Sequence, residues 1–414
     1  MSRPFLLLLL LSSSVLGQTL THEQSLELRA RILTNFFANQ LPPLNAEAHR
    51  RFEPAAGVTA EAISYSTQHG ARIPAILYLP KPLPAGGKLP AFIVVNGHGG
   101  DKFSWYAFYS GILYAQAGAA VLTYDPVGEG ERNAQRKSGT RAHDAIKGDE
   151  QLARRLAGLM ITDVRQAVSY LASRPEVDTT RIGAAGYSMG SFVLALTGAV
   201  EPRLKACVLV GGGNLDGPGE YWDKSKPNCQ GLPYQSLAFL GDRAATLYTL
   251  QATRGPTLIF NGTADSVVNM PKTGAPFMND LHSRTVLRFG KSEGVFDSAF
   301  VPDVSHRPFF VTRPVALWLH RQLNFPYWTD AKIKSLPVTR IGDWAAANAV
   351  EMDKLYATEE REGGTPALGK GFPGFKRDDL SVLSGDEWAK RKNEFVLESW
   401  LDAARAAATS GPGR

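Results

Sequence analysis

Cysteine is scarce in this sequence, which has only Cys207 and Cys229 among its 414 residues. Two cysteines exclude a disulfide-stapled scaffold, although export would permit one bond between them. Cys207 lies in the apolar run 206–210, which favours a buried thiol instead. Neither the number nor the spacing of the cysteines is that of a zinc site. We therefore expect neither a metal nor a cofactor.

Long apolar runs, blocks of basic residues and internal repeats are also missing. The apolar run at residues 5–11 is far shorter than the roughly 20 residues of a membrane-spanning helix. The net charge of +6 is spread thinly along the chain. Binding to nucleic acid is therefore not indicated.

Residues 1–17 have the pattern of a secretory signal peptide. Arg3 precedes the apolar run, and the small residue Gly17 favours cleavage before Gln18. An uncleaved, lipid-facing anchor is the alternative. We expect a mature protein that is secreted or periplasmic and has no stable membrane span.

Strand-like and helix-like segments alternate through the middle of the chain. The β-rich runs 62–67 and 72–79 flank a polar turn and predict an antiparallel hairpin. Further strands are predicted at residues 91–95, 119–124, 181–185, 206–210, 257–260 and 285–289, and helices at 105–117, 148–174, 191–200 and 310–323. This order predicts an α/β fold with a mostly parallel twisted sheet, helices on both faces and the antiparallel hairpin at one edge.

The remaining segments divide the chain around this α/β domain, which we place at residues 59–325. Residues 18–58 form an N-terminal helical segment, with helical spacing from Thr21 to Gln40. Within the domain, residues 211–255 are rich in glycine, proline and aromatic residues, as in a lid-like insertion. Residues 326–414 form a C-terminal extension, and its last helix begins with the Ser-x-x-Glu capping box of Ser384.

The motif Gly-Tyr-Ser-Met-Gly at residues 186–190 lies between a strand and a helix. That context is typical of a nucleophilic serine held on a sharp turn, here Ser188. The N–H of Met189, at the start of the following helix, is placed to bind a developing oxyanion. The alternative is an incidental serine that caps the helix.

A serine nucleophile needs a base and an acid that orients it. Asp265 directly follows the predicted strand 257–260, and His306 follows the predicted strand 285–289. The predicted catalytic triad is therefore Ser188, Asp265 and His306, in that order along the chain. His282 is the alternative base, and Glu293 and Asp303 are alternative acids.

Three further motifs strengthen this prediction, at residues 96–100, 122–130 and 174–178. With the serine motif they resemble α/β-hydrolases of the acetyl xylan esterase and dienelactone hydrolase-like type. The resemblance implies hydrolysis of carboxylic esters without a cofactor, with a second oxyanion N–H from His98 or, one residue on, from Gly99. Asn96 and Ser191 depart from the family pattern, and the nucleophile is serine rather than the cysteine of dienelactone hydrolases, which favours ordinary esters.

We therefore expect a serine esterase that acts on a small-molecule or carbohydrate-linked ester. The alternatives are a peptidase or amidase with the same triad, and a non-catalytic carbohydrate-binding protein with this fold. The aromatic residues that could stack on a substrate, or equally pack a lid against the core, are Trp105, Tyr106, Tyr221 and Trp222. Asp163 is expected to be a buried structural carboxylate, with a second acid near the triad as the alternative. Asp125 is expected to be a turn former, with a place on the rim of the active site as the alternative.

Overall fold

The computed structural model of the chain describes residues 19–83, 87–146, 148–217, 228–307, 312–336, 364–365 and 374–409. The expected signal peptide at residues 1–17 lies outside these ranges, as do Tyr221 and Trp222. No helix in the described part of the chain combines the length and the apolar character that a membrane crossing requires.

A nine-stranded sheet forms the centre of the molecule, in the spatial order β1-β2-β3-β5-β4-β6-β7-β8-β9. Its strands are β1 (Glu47–Ala55), β2 (Val58–Ser66), β3 (Arg72–Pro80), β4 (Leu89–Val95), β5 (Ala120–Tyr124), β6 (Val177–Tyr187), β7 (Leu204–Val210), β8 (Thr257–Gly262) and β9 (Phe296–Val301). The pairs from β1 to β3 and the β3–β5 pair are antiparallel, and the pairs from β5 across to β9 are parallel. The predicted fold class, including the antiparallel hairpin at one edge, is confirmed.

Helices cover both faces of this sheet. They are α1 (His22–Asn35), α2 (Trp105–Gln116), α3 (Glu150–Ser173), α4 (Met189–Val200), α5 (Asn228–Gln235), α6 (Arg243–Ala252), α7 (Met270–Phe289), α8 (Arg313–Leu323), α9 (Asp330–Lys334), α10 (Arg377–Leu380), α11 (Gly385–Arg391) and α12 (Leu397–Thr409). Alternate residues of β4 enter opposite cores, with Ile93 facing α3 and α4 and Phe92 facing α2 and α8. The central strands are therefore buried on both faces, as a parallel sheet requires.

The strand predicted at residues 285–289 is wrong, because these residues end helix α7. Met278, Leu281 and Thr285 are buried at helical spacing along that helix. The β-branched residues Thr285 and Val286 gave the segment its strand-like character. The strand that precedes His306 is instead β9, which completes the parallel edge of the sheet.

Two segments differ from their sequence-based description. Residues 18–58 contain α1, as expected, but also the edge strand β1. In the segment 211–255, α6 packs against α4 and α7 and connects the parallel neighbours β7 and β8. Every residue of α6 is buried. Residues 243–252 are therefore a crossover helix of the core and not part of a lid.

The C-terminal segment 374–409 packs against the loop that follows β5. The buried side chain of Glu131 accepts hydrogen bonds from the N–H groups of Val382 (2.8 Å) and Leu383 (3.3 Å). Trp388 donates its indole N–H to the Glu131 carbonyl at 2.9 Å. The Ser384 capping box at the start of α11 is present as predicted. The segment is thus an integral part of the packed structure.

We predict that Trp388→Ala lowers the free energy of unfolding by about 3–5 kcal/mol, because it removes a large buried ring and leaves a cavity. Guanidinium denaturation followed by circular dichroism measures this change. Leu287→Ala is the control, because Leu287 is 61% exposed and its truncation should change stability by less than about 0.5 kcal/mol. Equal stability of the two variants would contradict the docking of the C-terminal segment.

Candidate active site

Ser188 occupies a strained turn between β6 and α4. Its φ of 53° and ψ of −114° lie outside the regions that non-glycine residues favour. The N–H of Ser188 donates to the carbonyl of Val210, at the end of the neighbouring strand β7, at 2.8 Å. The turn is therefore held at the carboxyl edge of the sheet, as the motif predicted.

The two glycines of the motif are required by close backbone approach. A Cβ atom at Gly186 would lie 2.4 Å from the carbonyl oxygen of Gly190. A Cβ atom at Gly190 would lie 2.2 Å from the carbonyl oxygen of Val95, in β4. Real Cβ atoms do not approach backbone oxygens this closely, so a side chain at either position would push α4 away from the sheet.

Asp265 and His306 form a hydrogen-bonded pair at the same edge. Asp265 follows β8 and is fully buried, and its carboxylate accepts from Nδ1 of His306 at 2.9 Å. The N–H groups of Val267 and Val268 also donate to this carboxylate, at 3.0 and 3.4 Å. Because a carboxylate can only accept, Nδ1 of His306 carries a hydrogen, and in the neutral imidazole Nε2 then carries the lone pair.

His306 also lies close to the serine turn. Its ring centroid is 5.1 Å from that of Tyr187, the residue before Ser188. A Cβ atom at Gly211 would lie 2.9 Å from Cε1 of His306, and Gly211 directly follows the Val210 carbonyl that holds Ser188. The structure thus brings the three predicted triad residues to one rim of the sheet.

The alternative base and acids make other contacts. His282 belongs to α7, and its Nδ1 pairs with the carbonyl oxygen of Phe296. Glu293 and Asp303 are exposed, and the N–H of Asp303 donates to the hydroxyl of Thr263. The carboxylate that contacts His306 is that of Asp265.

Two backbone segments meet where an oxyanion would form beside Ser188. Met189 is the first residue of α4, so its N–H has no acceptor within the helix. The second segment is the β-turn closed by the N–H of Gly100 and the carbonyl of Gly97, at 3.0 Å, with Gly99 at a φ of 69°. A Cβ atom at Gly97 would lie 3.1 Å from Cβ of Ser188, so this turn packs directly on the nucleophile turn. His98 and Gly99 are the two residues inside this turn.

The side chain of His98 points to a cluster that sequence patterns did not reveal. Its Nε2 lies 3.1 Å from Asp144 Oδ1 and 3.3 Å from Cys229 Sγ, and its ring stacks on that of His143. Both cysteines are free, so the alternative of a bond between Cys207 and Cys229 is wrong. Cys207 is buried among apolar side chains, as expected.

The structure describes two of the four aromatic residues that could stack on a substrate, Trp105 and Tyr106. Trp105 and Tyr106 are 2% and 4% exposed and belong to the core that α2 forms with the sheet. The Tyr106 ring lies edge-on to that of Tyr187, with centroids 5.5 Å apart. Tyr106 therefore supports the serine turn from behind, and Trp105 packs in the core.

Buried charges lie behind this rim. Lys102, which is fully buried, pairs with both Asp125 (2.5 Å) and Glu131 (2.7 Å). Burial raises the pKa of Asp125 above its ordinary value. Burial would also raise the pKa of Glu131, but the Lys102 ammonium and the N–H of Val382 lower it below its ordinary value. Asp125 also accepts from the N–H of Glu131 at 2.8 Å, so the expected turn former also neutralises a buried cation.

Asp163 has the structural role that was expected of it. Its carboxylate pairs with the guanidinium of Arg132 and accepts from the hydroxyl of Thr67 at 2.7 Å. Burial raises its pKa, and Arg132 opposes this change. Both oxygens of the carboxylate are satisfied, as a buried acid requires.

Comparisons with known proteins identify a family and a fold that this chain resembles. Residues 39–210 match the family of acetyl xylan esterases. The solved structure of methylesterase BT1017 has a TM-score of 0.60 and 17% identity, over 92% of this chain and 73% of that chain, which shows a shared fold. YtaP of Bacillus subtilis, which is named as a hydrolase, is 29% identical over 166 residues, and PA2218 of Pseudomonas aeruginosa is 27% identical over 165 residues. This chain spans only 54% and 40% of the lengths of these two relatives.

We predict that Gly190→Ala lowers the free energy of unfolding by at least about 1–3 kcal/mol, because the added methyl group overlaps the Val95 carbonyl. Gly385→Ala is the matched control, since a Cβ atom there would meet only Arg136 Nη1, at 3.7 Å. Guanidinium denaturation of both variants measures the difference. If Gly190→Ala were as stable as wild type, the close approach of α4 to β4 would be disproved.

Proposed function

We propose that this chain, an α/β-hydrolase similar to acetyl xylan esterases, hydrolyses carboxylic esters through Ser188, His306 and Asp265. The observation that carries the proposal is the hydrogen bond from Nδ1 of His306 to the buried Asp265, beside the strained turn of Ser188. An orienting acid, an imidazole with a free lone pair and a serine on a sharp turn are the parts of a nucleophilic serine hydrolase.

The proposed reaction begins with proton transfer from Ser188 Oγ to Nε2 of His306. The serine oxygen bonds to the ester carbon, and the carbonyl electrons move to the oxygen. When this intermediate collapses, the alcohol leaves with the proton from His306, and an acyl-enzyme remains. Water, deprotonated by the same imidazole, then attacks the acyl carbon and releases the acid and Ser188. Asp265 stays ionised and stabilises the imidazolium formed in each half of the reaction.

The oxyanion is proposed to bind two backbone N–H groups. The N–H of Met189 is the first donor, because the start of α4 also favours negative charge. The second donor comes from the 97–100 turn, from His98 or from Gly99. The support for this assignment is the close packing of the 97–100 turn on the Ser188 turn, which leaves no room for a side chain at Gly97. Two fixed donors require no reorganisation when the charge develops.

We propose that the enzyme is exported and that its substrate is a small or carbohydrate-linked ester. The match of residues 39–210 to the family of acetyl xylan esterases supports an ester of a carbohydrate. Export is supported by the signal-peptide pattern of residues 1–17. A peptidase or amidase would use the same three residues, so the substrate distinguishes the alternatives.

We predict that Ser188→Ala lowers kcat for p-nitrophenyl acetate by about 10⁴–10⁶-fold, because the reaction loses its nucleophile. Asp265→Asn should lower kcat by about 10⁴-fold, because the amide can stabilise the wrong imidazole tautomer. Ser283→Ala, an exposed serine on α7, is the control and should keep wild-type kinetics. Unchanged turnover in Ser188→Ala would support a non-catalytic protein instead.

We predict that Gly97→Ala lowers kcat by about 10²–10³-fold, the usual cost of a lost oxyanion donor. The added methyl group would meet the Tyr187 carbonyl oxygen at 2.9 Å and push the 97–100 turn away from Ser188. Circular dichroism serves to confirm that the variant is folded. A change in KM with an unaltered kcat would contradict a role of this turn in binding the oxyanion.

A panel of acetyl, butyryl, feruloyl and uronic methyl esters, with an aminoacyl anilide, tests the substrate class. The proposal expects turnover of esters and none of the anilide, and each activity should disappear in Ser188→Ala. Cleavage of the anilide with a kcat/KM similar to that of the esters would favour the peptidase alternative.

A further inference from the structure

Four potential metal ligands converge behind the 97–100 turn: His98, His143, Asp144 and Cys229. His98 lies in the turn, His143 and Asp144 lie in a single 3-10 turn at residues 142–145, and Cys229 lies in the first turn of α5. We propose that these four residues bind one divalent transition-metal ion, with zinc as the best chemical fit.

The distances between the ligand atoms suit a tetrahedral site. Asp144 Oδ1 lies 3.1 Å from His98 Nε2, 3.8 Å from His143 Nε2 and 2.8 Å from Cys229 Sγ. All four ligand atoms lie within 4.8 Å of one another. Zinc bonds of about 2.0–2.3 Å in a tetrahedron separate the ligand atoms by about 3.3–3.8 Å. Small shifts of these side chains are therefore enough to admit the ion.

His143 gives the independent observation that points to a ligand. Its Nδ1 lies 3.2 Å from the carbonyl oxygen of Val127, which can only accept, so the hydrogen is on Nδ1. Its Nε2 therefore carries a lone pair, is buried, and has no hydrogen-bond partner among the described residues. A buried acceptor without a partner costs free energy. A histidine whose second nitrogen is fixed by a carbonyl is typical of a metal ligand.

The chemistry of the four residues also favours zinc. Two imidazoles, a thiolate and a carboxylate form a mixed nitrogen, sulfur and oxygen set of the kind that zinc accepts. The thiol of Cys229, which now donates to Asp144 at 2.8 Å, would release its proton to solvent when its sulfur binds the ion. The imidazole of His98, whose Nε2 faces the same carboxylate, would bind the ion through Nε2 in the tautomer that carries its hydrogen on Nδ1. The charges of the thiolate, the carboxylate and Zn²⁺ then cancel, which is favourable for a buried site. The Asp144 side chain is 26% exposed and leaves a path for entry.

The ion would join three separate segments of the chain. It would tie the 97–100 turn to the 142–145 turn and to α5, and so fix the backbone from which His98 or Gly99 is proposed to bind the oxyanion. The sequence predicts no metal because its two cysteines have neither the number nor the spacing of a zinc site, and the four proposed ligands lie far apart along the chain. His98 is separated by 45 residues from His143, and Cys229 follows Asp144 by 85 residues.

Metal binding by the full-length chain, purified without a metal-affinity tag, tests the proposal. The protein is treated with a chelator, dialysed and titrated with Zn²⁺ and with Co²⁺. We expect one equivalent of either ion per chain, a thiolate-to-cobalt charge-transfer band, and a rise in Tm with Zn²⁺. Cys229→Ala should abolish the band, and His143→Gln should weaken zinc binding by more than about 100-fold, since the loss of an outer-shell partner alone costs about 10–100-fold.

Cys207→Ala is the matched control, because Cys207 is a buried free cysteine outside the cluster, and it should keep wild-type stoichiometry and spectrum. The wild-type cobalt spectrum reports thiolate ligation even if a variant fails to fold. A wild-type protein that binds no ion, or a cobalt complex without the thiolate band, would overturn the proposal. So would a folded Cys229→Ala variant with the wild-type spectrum. These readouts do not depend on turnover, so they separate a failed metal site from a failed esterase assignment.

Discussion

The close backbone approach between β6, α4 and β4 is the constraint on which the site depends. Gly186 and Gly190 let α4 begin within contact of the sheet, and this contact holds Ser188 at a positive φ. The same contact places the N–H of Met189 beside the serine and leaves room for the 97–100 turn. The geometry of the candidate site is thus fixed by backbone packing that leaves no space for a larger residue at either glycine.

Buried charges connect this rim to the rest of the chain. Lys102 follows the 97–100 turn and pairs with Asp125 and Glu131, which lie in the loop after β5. Glu131 in turn holds the N–H groups of the C-terminal segment. Because a buried charge that loses its partner is strongly destabilising, these loops must fold together. The C-terminal segment therefore helps to hold the loops behind the site.

Short patterns in the sequence were enough to propose the centre of the candidate site. The serine motif and the strand before Asp265 are short, contiguous signals, and they gave the fold class and the residues now seen at one rim. The prediction of a strand at residues 285–289 was wrong because the burial of one face of helix α7 outweighed the preference of β-branched residues for strands. His306 still follows a strand of the sheet, as predicted, because β9 precedes it in place of the predicted strand. Glu131 contacts the C-terminal segment, and His98 contacts Asp144 and Cys229. These contacts join residues that are far apart in sequence, so no local pattern reports them.

Covalent labelling tests the central claim most directly. A fluorophosphonate reacts only with a serine that a neighbouring base has activated, so it reports the chemistry without knowledge of the substrate. The full-length chain is treated with the reagent, digested and mapped by mass spectrometry. The account predicts one adduct per chain, on Ser188, and none in His306→Ala. An unlabelled wild-type protein, or an adduct on another serine, would contradict it.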